Sequence, residues 1–531
     1  MNFSSQKISY HSTGFFGKLV IDYIDQPESL RSFYSVEPNM DGIKKTIEAR
    51  KKYPTDRNLL VEVLQQQYAN GTLSPQQKLN IEQLSNSNCF TITTAHQPNI
   101  FTGHLYFIYK ILHAVKLAEQ LKKELPVNDF VPVFYMGSED ADLDELGHIY
   151  LFGEKCEWKT TQTGAVGRMK VDKALVSLVD SISGQLTVYP FGEALISLMK
   201  SCYTVGQTIE QATFKLLNKL FGEYGLIVLL PDNAALKRTF IPLVEKELAE
   251  GFSHKAVEET AALFPKEYKV QASGRAINLF YLKDDIRERI VKESSKFKVQ
   301  SSIIEFTKTT IIEELQHHPE NFSANVILRP VYQEMILPNI AFIGGGGEIA
   351  YWLELKKVFE AANVPFPVLV LRNSFMILSK ELNKIKEKLR FSTTDLFKPE
   401  NELMNELVKR DGNVRLSLDK EKQVVKDIYQ QLKSTAGLVD HTLQQHTEAL
   451  QAKALKKIEV LEKKMLKAEK KKFEAQQRQL HKLRSQLFPG NSLQERIENF
   501  MPFYAKWGSD FIAAIYKNSL SLEQEFVILE E

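Results

Sequence analysis

The chain has 531 residues, 43% of them apolar and 25% charged, and a formal net charge of +2. That length is too great for one simple core, and that balance gives no whole-chain case for nucleic acid or an anionic membrane. The opening MNFSSQKISYHSTGFFGKL has no apolar signal core, no apolar run approaches membrane-spanning length, and the isolated Cys89, Cys156 and Cys202 form no zinc-binding spacing. A cytoplasmic protein is expected, with no nucleic-acid or membrane partner and no structural zinc.

Between residues 90 and 380, short β-branched runs alternate with helical patterns, as in a parallel sheet flanked by helices. Phe90 to Ala95 reads as a strand and Leu105 to Lys123 as a helix. Val131 to Met136 is a second strand, ending in an acidic loop. Residues 150–215 fit the alternation poorly and read as an insertion. Gly225 to Pro231 resumes the series, 250–320 reads as a second insertion, and Asn325 to Pro330 is a further strand. An apolar run from Ile340 to Ile343 feeds Gly344, Gly345, Gly346 and Gly347, after which Glu348 opens a helical pattern; Phe366 to Asn373 is the last strand. From about Ser379 to Leu487 the pattern turns helical and charged. Ala454, Ile458, Leu461, Met465 and Ala468 form a seam that resumes out of phase at Phe473, Leu480, Leu483 and Leu487. This predicts a coiled coil with one phase break and an antiparallel partner helix upstream. Its lysines, from Lys463 to Lys472, read as a solvated face, and the arm as a self-association element giving a homodimer. The expected domains are a core over 1–378, a helical arm over 379–490 and a tail over 491–531 that packs back on the core through Phe500, Phe503, Trp507, Phe511 and Ile512.

Each strand ends at a polar cluster, and in an open α/β sheet ligands bind at the carboxyl ends of the strands. His96, Gln97, Asn99, Thr102 and Gly103 fill the first strand–helix loop, with His96 placed to meet a phosphate or a leaving group, while Lys110, farther along the helix, reads as a surface charge. Glu139, Asp140, Asp142, Asp144 and Glu145 crowd the second loop. Carboxylates so dense need a cation, a basic ligand or water between them. Glu139 and Asp140 are the candidates for amine or Mg²⁺ handling. Asp142 and His148 are weaker ones, Asp144 and His148 being four apart on an expected helix face. Asp232 follows the third strand. Arg329 and Arg372 are placed at strand ends to clamp a carboxylate or phosphate, with Gln333, Glu334 and Ser374 beside them. The four glycines, followed by Glu348 and Tyr351, allow positive φ and close backbone approach at a helix start, which suits either a plain tight turn or an anion.

Taken together, HQPNIFTGHLYFIYK, SEDADLDELGH, RPVYQEMILPNIAFIGGGGEIAYWLELK and LQERIENF resemble the bacillithiol biosynthesis cysteine-adding enzyme family, BshC, over nearly the whole chain. The resemblance implies a Rossmann-like core similar to class I aminoacyl-tRNA synthetases, connective insertions, a coiled coil and a homodimer. It also implies a ligase joining cysteine to the amine of glucosaminyl malate, with ATP and Mg²⁺ for carboxyl activation. Ala141 stands where the family pattern has histidine, and Ala95 and His104 where it has glycine and proline. Two other readings are a nucleotidyl transferase with a different acceptor and a nonenzymatic dimeric binding protein.

Overall fold

In the computed structural model, residues 3–531 are described except 70, 72, 273 and 413–415. They form two compact units, Met1–Met376 with Ser492–Leu529, and Ile377–Asn491 with Glu530–Glu531.

The first unit is built on five parallel strands: β1 (Cys89–His96), β2 (Asp129–Met136), β3 (Ile227–Leu229), β4 (Asn339–Gly344) and β5 (Val368–Leu371). Their spatial order is β5-β4-β1-β2-β3. The chain runs outward from β1 to β3, then returns to add β4 and β5 on the other side. The topological switch therefore falls between β1 and β4, where such folds open a crevice at the strand ends. In register, Thr93 faces Phe342 on one side and Val133 on the other. One face of the sheet packs Phe90, Ile92, Ile340, Ile343, Val368 and Val370 with Ala114, Leu117 and Leu121 of helix α1 (Tyr106–Glu124). The buried threonines of β1 are satisfied rather than wasted: Thr93 donates to Asn339 Oδ1 at 2.8 Å and Thr94 to the Ile343 carbonyl at 2.9 Å.

The strands Phe90–Ala95, Val131–Met136, Gly225–Pro231, Ile340–Ile343 and Phe366–Asn373 were all legible within a few residues. Asn325–Pro330 is the exception. Asn325 Oδ1 accepts from the amides of Ile327 and Leu328, turning the chain, and helix α2 (Arg329–Ile336) starts at once with Pro330 in its first turn. Arg329 thus projects from a helix start, not a strand end.

Residues 148–221 supply a hairpin, His148–Leu151 with Glu154–Glu157, and three helices ending at Phe221. Residues 279–324 supply a five-stranded antiparallel sheet that includes Leu279–Lys283 and Ile286–Glu293. The tail helix Met501–Trp507 packs on helix Gly192–Cys202, with Phe191 donating its amide to Ala505 O at 2.8 Å, and Ser509–Asn518 packs on α1.

The second unit is helical. Asp419–Val439 and Leu443–Lys470 pair as a hairpin, tied by Lys422 to Glu462 at 2.6 Å, and a short 3-10 turn at Lys471–Phe473 precedes Glu474–Leu487. That turn is the break in phase seen in the sequence. Val424, Ile428, Leu432, Leu450 and Leu461 remain exposed on the hairpin. Among the described residues no helix is long and apolar enough to cross a membrane.

Candidate functional site

Two adjoining cavities open at the carboxyl ends of the strands. The first, of about 590 Å³, is lined at the switch point by His96, Tyr106, Arg372, Arg496 and Gly345, Gly346 and Gly347. The second, of about 700 Å³, lies toward the antiparallel sheet and is lined by Asp140, Asp142, Arg275, Arg287 and Arg289. Gln97, Glu145, Gln271, Val326 and Arg329 line both.

The dividing wall is an ion-paired fork. Asp140 Oδ2 accepts from Arg329 Nη1 at 2.5 Å and from Gln97 Nε2 at 3.0 Å, while Oδ1 accepts from Arg287 Nη2 at 2.9 Å. Burial alone would raise the Asp140 pKa; Arg329 and Arg287 outweigh it and hold the carboxyl below the ordinary range. Burial opposes the Arg329 charge in turn, and Asp140 keeps that guanidinium protonated. Gly137 makes room for this arm, since a Cβ there would sit 3.3 Å from Arg329 Nη1.

On the glycine side, the charges are closed on one another. Lys110, on α1, is buried, and its Nζ donates to Ala95 O at 2.5 Å and to Glu348 Oε2 at 2.6 Å. The same oxygen accepts the Gly345 amide at 2.8 Å. A carboxylate of the protein itself therefore serves the start of helix α3 (Gly346–Trp352). None of Gly344 to Gly347 takes a positive φ, contrary to the reason first given for the run. Close packing explains two of them: a Cβ on Gly344 would lie 2.9 Å from Phe342 Cε1, and one on Gly346 2.9 Å from Val20 Cγ2. Gly347 has nothing within 4 Å, so its missing side chain leaves space in the cavity. Arg372 is likewise spent, with Nη2 on Glu495 Oε1 at 2.8 Å and its guanidinium 5.0 Å over the Tyr106 ring. Arg496 has no ion pair or hydrogen bond from its side chain among the described residues, and burial lowers its pKa, with Arg372 adding to the effect.

His96 lies on the wall between these charges. Its Nδ1 is 3.2 Å from Gln97 O, and because a carbonyl only accepts, that nitrogen carries the proton. Nε2 is then the acceptor for the Tyr106 hydroxyl at 3.1 Å. Burial, reinforced by Lys110, pushes the imidazole pKa well below its ordinary 6.5, so the ring is neutral at neutral pH. Deeper in, Trp352 stacks on Phe342 at 4.3 Å. Tyr135 Oη is buried on this wall with no hydrogen-bond partner among the described residues, and the Trp352 indole N–H donates to the Tyr351 hydroxyl.

The sequence candidates divide on this geometry. His96, Gln97, Asp140, Asp142, Arg329, Gln333, Gly345, Gly346, Gly347, Glu348, Tyr351 and Arg372 line one or both cavities. Asn99, Thr102, Gly103, Glu139, His148, Asp232, Glu334, Gly344 and Ser374 line neither. Glu139 and Asp232 are turned into a buried cluster around Lys237, where Asp232 also takes Arg168 at 2.7 Å. Glu334 pairs with buried Arg50 at 2.6 Å. Thr102 and Gly103 are left-handed, at φ 69° and 65°, in a loop whose carbonyls are held by Asn499 Nδ2. Asp142 caps the short helix Leu143–Leu146 by accepting the Glu145 amide at 3.1 Å. His148 begins a strand, so the expected helical pairing with Asp144 does not form; instead its Nδ1 donates to Asp144 O at 2.8 Å. Ser374 Oγ supports Arg372 Nη1 at 3.1 Å. Tyr106, Arg287 and Arg496 were not among the candidates, Glu145 was named only as one of the crowded acids of the second loop, and Lys110 read as a surface charge. Arg496 sits in the LQERIENF segment, which was a usable signal. Arg287 carried none. Burial pushes the Cys89 thiol up to about 12, which removes it as a nucleophile at neutral pH. Among the described residues no group of three or more His, Cys, Asp or Glu is gathered to hold a metal.

Comparisons with known proteins give a consistent family. The model described as "Bacillithiol biosynthesis BshC, N-terminal Rossmann-like domain" matches residues 3–373, and that of the BshC C-terminal coiled-coil domain matches 375–531. A protein of Flavobacterium johnsoniae named "Putative cysteine ligase BshC" is 40% identical over 98% of this chain and 99% of its own. One of the same name from Flavobacterium psychrophilum is 38% identical over 98% and 99%. A solved chain from Campylobacter jejuni, titled a "putative arginyl t-RNA synthetase", aligns with 85% of this chain and 98% of its own at 9% identity and a TM-score of 0.23, too low to carry an argument.

Proposed function

The chain belongs to the bacillithiol biosynthesis BshC family, and from that premise we propose that it is an ATP-dependent cysteine ligase, joining the cysteine carboxyl to the amine of glucosaminyl malate. The observation that carries the reading is the strand-end crevice at the β1–β4 switch point, rich in guanidinium groups and holding a neutral imidazole. Amide formation in water needs an activated carboxyl, and ATP supplies that activation when bound. The donor set fits such ligands: Arg275, Arg289 and Arg496, whose guanidinium groups have no ion pair or hydrogen bond among the described residues, line anion-sized space, and Tyr135 and Arg287 on the same walls each keep a buried donor without a partner there. Asp142 and Glu145 are the wall carboxylates without a side-chain cation of their own among the described residues, and they would meet Mg²⁺.

Arg496 receives a carboxylate of the malate half, with Gly347 leaving room for it and Arg372, held by Glu495, fixing the wall beside it. Arg329, fixed by Asp140 at the junction of the two cavities, orients the reacting carboxyl. As the C–N bond forms, and before the carbonyl carbon's bond to its activating phosphoryl oxygen breaks and that group leaves, the attacking nitrogen becomes acidic enough for a weak base to deprotonate it. The Tyr106 hydroxyl takes that proton while passing its own to His96 Nε2. Burial suits the imidazole to this task by keeping it unprotonated beforehand.

The protein acts in the cytoplasm as a homodimer, with the exposed apolar residues of the hairpin covered by a second copy. Sedimentation of the Ile428→Asp/Leu432→Asp variant at half the wild-type mass is the expected result; an unchanged mass would sink this part. For the reaction itself, purified protein is given cysteine, glucosaminyl malate, Mg²⁺ and ATP, and the thiol product is followed by mass spectrometry. Absence of both product and nucleotide consumption overturns the ligase reading.

A further inference from the structure

The second cavity differs from the first in what its charges are doing. It is walled by the segment entering the antiparallel sheet, which contributes Arg275, and by the strand Ile286–Glu293, which contributes Arg287 and Arg289. Arg287 spends one nitrogen on Asp140 and lies 4.0 Å over the Phe280 ring, but its Nε is buried with no partner. The guanidinium groups of Arg275 and Arg289 have no ion pair or hydrogen bond among the described residues. Arg329 closes the inner end. Arg329 and Arg289 both act on Arg287 as like charges, and with Arg275 lining the same cavity an anion placed among these guanidinium groups would relieve that repulsion. The glycine loop offers no comparable deficit, since Glu348 already accepts from both Lys110 and Gly345.

We propose that this second cavity is a polyphosphate site, in which Arg275, Arg287 and Arg289 hold a di- or triphosphate chain whose reacting end reaches Arg329. A single carboxylate would engage one fork and leave the other guanidinium groups unanswered, whereas a chain of anionic groups answers several at once. About 700 Å³ also exceeds what one carboxylate fills. The inference deepens the ligase reading by placing the phosphates of its nucleotide on the insertion side rather than on the glycine loop. It rests on that reading only for which molecule brings them.

The test is calorimetric titration of the full chain with inorganic tripolyphosphate at fixed ionic strength. Arg275→Ala/Arg289→Ala is compared with Arg496→Ala, which alters only the other cavity. Both residues of the double variant are exposed, and thermal unfolding checks that the fold is kept. Saturable binding is expected, weakened by about tenfold or more in the double variant, as two charge-assisted contacts are lost, and unchanged in Arg496→Ala. ADP is expected to displace tripolyphosphate. No saturable binding, equal affinity in the double variant, or a loss in Arg496→Ala instead would each overturn the assignment. So would L-malate binding as tightly as tripolyphosphate with the same dependence on Arg275 and Arg289. Ligase activity is measured in parallel: tripolyphosphate binding without any thiol product would remove the ligase reading and leave the polyphosphate site standing.

Discussion

The two flanks of the strand-end crevice treat charge in opposite ways. On the glycine flank most charges are answered by the protein, Lys110 by Glu348 and Arg372 by Glu495, and Glu348 also accepts the Gly345 amide, leaving Arg496 without an ion pair among the described residues. On the insertion flank Asp140 is shared by two arginines while Arg275 and Arg289 remain open. A buried pair costs desolvation, so the closed flank holds its groups in fixed places at some expense in stability. The open flank leaves part of its charge unanswered among the described residues. The conspicuous glycine run therefore belongs to the half of the crevice that is pre-built and shaped, and the inconspicuous insertion to the half that is electrostatically hungry.

The contrast is broken most severely by cutting a closed pair. Glu495→Ala strands Arg372 in the interior and is expected to cost about 3–5 kcal/mol in denaturant unfolding, whereas Arg289→Ala leaves the midpoint in place. Comparable losses in both would mean that the flanks are alike. A smaller effect separates packing from room within the glycine run. Gly346→Ala drives a methyl to 2.9 Å from Val20 Cγ2 and is expected to cost about 1–3 kcal/mol. Gly347→Ala is expected to keep stability and raise the KM for the malate-bearing substrate. Equal stability losses at the two positions would contradict the assignment of Gly347 to the cavity.

The smallest effect is a difference in pH slope. The folded-state pKa of His96 lies well below its ordinary 6.5, so as pH falls through that value the unfolded chain gains a proton that the folded chain refuses, and stability drops. The stability contribution is whole above that pH and is lost below it. Urea unfolding from pH 7.5 to 5.5 is expected to fall less steeply for His96→Gln than for wild type. Parallel slopes would show that the ring is not held neutral.

Much of this was legible beforehand, for identifiable reasons. The core strands are β-branched runs bounded by polar residues, so period and composition located them, and the rule of strand-end binding located His96, Gln97, Asp140 and the glycine loop. What failed was anything decided by a distant partner. Glu334 looked like a site residue because Arg50, 284 residues away, is invisible to local pattern. Glu139 and Asp232 looked free until Lys237 came between them. Lys110 looked like a surface charge because a helix does not reveal which lysine its neighbours will bury. Asn325–Pro330 looked like a strand because Val326, Ile327 and Leu328 are apolar, yet the Asn325 side chain turns the backbone first. The arginines of the insertion carried no signal, since their convergence depends on how the antiparallel sheet stands against the strand ends.

On the proposed ligase reading, amide formation takes place where these flanks meet, at Arg329 and Asp140. Its most direct test is single-turnover formation of the cysteinyl product from cysteine, glucosaminyl malate, Mg²⁺ and ATP, read by mass spectrometry for wild type and Arg329→Ala side by side. Product from wild type and a rate about a hundredfold or more lower in the variant, as expected when a charged group aimed at the reacting carboxyl is removed, is the result that fits. Equal rates in the two proteins would contradict it.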